Sequence, residues 1–112
     1  MSIKANIENL LIQLNYPVNE ATTKQLDNIT KNTDNFFDFA QHLFTLSDDL
    51  KAVDAVVALS NSKDYLKLKS NSKIDSEIEK FNEIVKFWAD KFKVTLQKVD
   101  NKNTYYIIGK NS

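Results

Sequence analysis

Apolar side chains in the first third of the chain recur at helical spacing. In "IKANIENLLIQL", Ile3, Ile7, Leu10, Leu11 and Leu14 fall at i, i+4, i+7, i+8 and i+11, which places them on one face of a first helix. "NYPVNEAT" ends that helix, because the residue before Pro17 avoids the αR conformation. Asn19 is then placed to cap a shorter second helix carrying Ala21, Leu26 and Ile29. The next stretch, "NTDNFFDFAQHLFTLSDDLKAVDAVVALSNS", reads as two further helices in sequence or as one bent helix. Thr33 or Asp34 would cap the first and Ser47 the second, with Asp48 and Asp49 in the dipole-favoured opening turn. Phe36, Phe39, Ala40, Leu43, Phe44 and Leu46 form one apolar face, and Leu50, Val53, Val56, Val57 and Leu59 the next. Together they are expected to make the centre of the core.

The clearest periodicity lies in "SNSKIDSEIEKFNEIVKFWADKF", where Ile74, Ile78, Phe81, Val85, Trp88 and Phe92 repeat at intervals of four and three. Ile84 and Phe87 widen the stripe, which favours a core-facing helix over residues 73–91 rather than a narrow coiled-coil seam. Ser72 with Asp75 has the spacing of a capping box. After this helix the period changes to two. Phe92, Val94 and Leu96 share one side and Lys93, Thr95 and Gln97 the other. With "DNKN" as a four-residue loop, Val99 pairs with Thr104, Leu96 lies opposite Ile107, and Lys98 lies opposite Tyr105. A two-stranded ribbon is marginal alone, so its apolar face must lie on helices or gain a third strand. "KDYLKLKS" alternates Leu66 and Leu68 with Lys67 and Lys69, which fits such a strand near residues 65–69, although so short a run also fits a helical turn. The predicted fold is α+β and predominantly α-helical: four to five helices and a C-terminal antiparallel hairpin, with the short third strand as an addition.

Composition narrows the class. Leu, Ile, Val and Phe supply 34 of 112 residues and the formal net charge is zero, which is the content of a folded chain rather than a disordered polyelectrolyte. The length suits one domain, residues 1–112. Absence of cysteine removes disulfides, thiolate nucleophiles and Cys-ligated zinc. The longest apolar runs are far shorter than a membrane span, and Lys4 and Glu8 interrupt what a signal peptide would keep apolar, so a soluble cytoplasmic protein with no membrane partner is expected. All fifteen basic residues are lysine. Without arginine there is no planar fork to clasp a guanine edge, which disfavours sequence-specific major-groove readout. Charge is also unevenly placed: residues 1–57 hold four lysines against eight acids, and residues 58–112 hold eleven against seven. Such asymmetry is compatible with a basic face for a polyanion.

Catalytic chemistry is hard to assemble from these residues. His42 is the lone histidine, between apolar neighbours in "FAQHLF" and with no serine in a nucleophile-elbow context. Gly109 is the lone glycine, so no glycine-rich loop cradles a phosphate. The acids Glu77, Glu83, Asp75 and Glu79 lie among Lys80 and Lys86 as a solvated helix surface would. A helix-turn-helix reading of "ATTKQLDNITKNTDNFFDFAQ" meets Asp27 where close packing wants a small residue, and Glu20, Asp34 and Asp38 would repel phosphate. The expectation is therefore a small non-enzymatic interaction or adaptor module without cofactor or metal, binding another protein or itself as a homodimer. Phe87, Trp88, Tyr106 and Ile108, on the last helix or the hairpin edge, are the candidate contact residues. The alternative is a nucleic-acid-binding accessory protein using Lys67, Lys69, Lys93, Lys98 and Tyr105 of the basic C-terminal half.

Overall fold

The computed structural model describes residues 6–60 and 62–110. It has an α+β architecture of five helices and one four-stranded antiparallel sheet. Helix α1 (Ile7–Gln13) is capped by Asn6, whose Oδ1 accepts the Asn9 amide at 2.8 Å; the expected Ile3 lies outside the described residues. Helix α2 (Glu20–Asn32) starts where Asn19 places it, and the cap is reciprocal: Asn19 Oδ1 accepts from the Thr22 amide, and Thr22 Oγ1 accepts from the Asn19 amide. Helix α3 (Phe36–Phe39) is one turn, and α4 runs from His42 to Lys51.

Here the structure departs from the sequence reading. Thr33 does not open α3; it closes α2, its hydroxyl donating to the Ile29 carbonyl at 2.7 Å. Asn35, in the left-handed conformation, precedes α3 with no side-chain cap. Ser47 is no N-cap either, but sits buried inside α4. The largest correction concerns residues 55–59, which are not helical: Ala55–Leu59 form strand β1, with Ala55, Val57 and Leu59 buried and Val56 and Ala58 facing outward. "VDAVVAL" satisfies both periods, since its apolar residues fit a helix face and also alternate from Val53 to Leu59. Two adjacent β-branched valines and the positive φ of Asp54, which turns the chain sharply out of α4, favour the strand.

Strand β2 (Leu66–Ser70) confirms the third strand and pairs antiparallel with β1. Helix α5 (Asp75–Phe92) follows; its N-cap is Ile74, so Ser72 and Asp75 make no capping box. Ser72 acts from outside the helix instead, accepting the Ile74 amide at 3.0 Å and donating to Glu77 Oε1 at 2.7 Å. Phe92 ends α5 rather than starting the hairpin. Lys93, at φ 61°, turns the chain into β3 (Val94–Lys98), which pairs with β4 (Thr104–Lys110). The expected register is found: Leu96 opposes Ile107, Lys98 opposes Tyr105, and the Val99 amide donates to the Thr104 carbonyl at 2.9 Å.

The sheet order is β1-β2-β4-β3. Its inner face, including Leu66, Leu68, Tyr105 and Ile107, joins the helices in one apolar cluster around Phe39, Leu43, Phe81 and Val85. Lone Gly109 has a steric purpose. The α2–α3 junction runs beside β4 there as a parallel bridge between Asp34 and Gly109, the Lys110 amide donating to the Asp34 carbonyl at 2.9 Å, and a Cβ on Gly109 would meet Asp34 atoms at 2.8–2.9 Å. Thr95 opposes Gly109 while Leu96 opposes Ile107, so Ile108 is the extra residue of a β-bulge. The free edge of β1 is partly closed by Tyr16, whose hydroxyl accepts the Leu59 amide at 3.0 Å.

Candidate functional site: an apolar groove between two helices

Helices α4 and α5 pack through Trp88, whose indole N–H donates to the His42 carbonyl at 3.1 Å and whose ring meets Phe39 edge-on. This fixes the floor of a groove of about 550 Å³ between the two helices. Ile84, Trp88 and Phe92 line its base, His42, Thr45 and Asp49 form the α4 wall, and Glu83, Phe87 and Lys91 form the α5 rim. His42 stacks on Phe92, with ring centroids 3.8 Å apart and planes 12° apart. Burial, and then the neighbouring Lys91 ammonium, hold the imidazole below its ordinary pKa of 6.5, so it is held neutral to lower pH than a free histidine. Stacked on Phe92, its ring forms part of the α4 wall.

Phe87 is the most exposed large apolar side chain among the described residues, at 71%. Glu83, Phe87 and Lys91 are spaced by four, so they follow one another along one face of α5 as acid, aromatic and base. Glu83 and Asp49 form no ion pair among the described residues. The rim therefore keeps unneutralised charges of both signs around an exposed aromatic ring.

The residues singled out from sequence do not form one surface. Phe87 lies open at the rim rather than widening the core-facing stripe, and Trp88 is only 5% exposed, lining the groove without standing out from it. Tyr106 and Ile108 are half-buried on β4, and neither lines the groove. The nucleic-acid set separates as well. Tyr105 is a core residue, its hydroxyl donating to Asn82 Oδ1 at 2.8 Å and its phenol pushed up by burial, so its ring is closed to stacking bases. Lys93 sits in the α5–β3 turn, while Lys98 opposes Tyr105 near the other end of the hairpin. Lys67 and Lys69 alone of that set share the outer sheet face. Sequence reasoning did not assign Lys91 or pair it with Glu83; the four-residue repeat centred on Phe87 was the signal available.

Among the described residues, no group of three His, Asp or Glu side chains is placed to hold a metal ion, and no helix is long and apolar enough to cross a membrane. Comparisons with family models, curated proteins and solved structures give no match for this chain.

Proposed function

We propose that this protein is a non-enzymatic interaction module that associates with a second copy of itself through α5. The observation that supports this is the Glu83, Phe87, Lys91 series. In an antiparallel pair of α5 helices related by a two-fold axis at Phe87, the position four residues before the axis faces the position four residues after it. Glu83 of each copy then meets Lys91 of the other. The charge pattern is self-complementary, which a random solvated face has no reason to be.

The groove gives the exposed ring somewhere to go. Each Phe87 enters the partner's α4–α5 groove over Ile84 and Trp88, and the partner's Lys91 comes near Asp49 as well as Glu83. Full burial of a phenylalanine contributes about 1.5–3 kcal/mol, and a two-fold contact counts it twice. One helix and one groove per copy make a modest interface, so a dimer of micromolar strength is expected rather than an obligate one. Sedimentation across a concentration series tests this: the mass rises from one chain toward two with the native protein and stays at one chain for Phe87→Asp. A native protein that remains a single chain at high micromolar concentration refutes the reading.

A further inference from the structure

The outer face of the sheet carries a second, chemically different constellation. Lys67 and Lys69 are two residues apart on β2 and project from the same face, with Tyr106 and Thr104 as their partners across the ladder. The β3–β4 loop brings Lys102 to the same depression, which encloses about 360 Å³ and has no carboxylate in its lining. Ser62 closes another side, its hydroxyl 3.2 Å from the Tyr106 phenol oxygen. None of the three lysines has an ion pair among the described residues. A fourth, Lys63, lies over the Tyr106 ring at 5.7 Å.

We propose that this depression is a phosphate-binding site, taking the phosphoryl group of a phosphate ester. Three unneutralised ammonium groups exceed what one carboxylate would balance, whereas a phosphate monoester carries close to two negative charges and three acceptor oxygens. Lysine binds phosphate as a point charge without needing arginine's planar fork, and the Thr104 and Tyr106 hydroxyls in the lining are donors for the remaining oxygens. The Tyr106 phenol already responds to this environment. Its pKa is lowered by hydrogen bonds from the Ser62 and Ser60 hydroxyls, and also by Lys63 and Lys67. The site uses no residue of α5, so it stands or falls separately from self-association.

Two sources can supply the phosphoryl group, the dianionic monoester of a mononucleotide or the singly charged diesters of a single-stranded nucleic acid, and one titration separates them. Isotope-labelled protein is titrated with inorganic phosphate, with adenosine monophosphate and with a single-stranded oligothymidylate, each against chloride at matched ionic strength. The expected result is amide shifts clustered at residues 67–69 and 102–106, weakened at least tenfold in Lys67→Gln/Lys69→Gln/Lys102→Gln. Equal per-phosphate affinity for all three probes assigns the site to free phosphate esters. A much tighter oligonucleotide complex, with log affinity falling against log salt at a slope of about −2 for three neutralised phosphates, assigns it to nucleic acid. No shift beyond the chloride control overturns the proposal, and so does an equal loss in Lys24→Gln/Lys80→Gln, which removes charge elsewhere.

Discussion

The α4–α5 groove and the outer face of the sheet contrast in almost every property. The groove is floored by Ile84, Trp88 and Phe92 and carries charges of both signs on its rim; the sheet depression is lined by lysines, hydroxyls and an amide. The difference follows from how each element meets the core. Helix α5 presents an apolar stripe wider than the core consumes: Phe81, Val85 and Trp88 are buried, while Phe87 is left over. Strand β2 alternates with period two, so Lys67 and Lys69 are turned outward between the buried Leu66, Leu68 and Ser70. Surplus width on a helix yields an apolar surface, and strict alternation on a strand yields a charged one.

Substitutions that separate the two surfaces sharpen this contrast. The largest effect is expected where they share a frame. Gly109→Ala forces a Cβ onto the Asp34 backbone and should lower stability by about 3 kcal/mol, read as an earlier denaturation midpoint with both surfaces impaired together. Phe87→Asp acts on the groove alone. It should weaken self-association at least about 100-fold, the loss of two buried rings, while any phosphate binding at the sheet is unchanged. Tyr16→Phe touches neither surface but frees the Leu59 amide at the β1 edge, and chemical denaturation should show a loss of about 1 kcal/mol.

The smallest effect is a pH dependence. His42 binds its proton more weakly in the folded chain than in the unfolded one, so the unfolded state holds more protons just below pH 6.5. The stability from the neutral imidazole is complete above pH 6.5 and declines as pH falls toward the lowered folded value. Lys91 opposes protonation, while Asp49 and Glu83 line the same groove. Melting curves between pH 7.5 and 5 should show this decline in the native chain and a flatter profile in His42→Phe.

Much of the fold was legible because its signals were local. Pro17 and Asn19 fix the start of α2, and the four-residue loop fixes the hairpin register down to Leu96 against Ile107. Strand β1 was not legible, because "VDAVVAL" fits both periods, and the turn at Asp54 and the pairing with β2 that decide for the strand exist only in the fold. The site was half legible. Phe87 belongs to a face that side-chain type and spacing suggest, but Trp88 and Tyr105 look like surface-capable aromatics until the fold buries them. Burial of that kind depends on which elements pack together, as Trp88 against His42 and Tyr105 against Asn82 show, and no local pattern carries it.

The two-fold contact through α5 is tested most directly by reversing its charges. Glu83→Lys alone and Lys91→Glu alone each place like charges across the axis, and each should raise the dimer dissociation constant about tenfold, consistent with close charge pairs in double-mutant cycles. Mixed in equal amounts, the two variants face each other with opposite charges at both contacts, so sedimentation of the mixture should recover a mass of two chains. A mixture that stays as dissociated as its separate components contradicts the account.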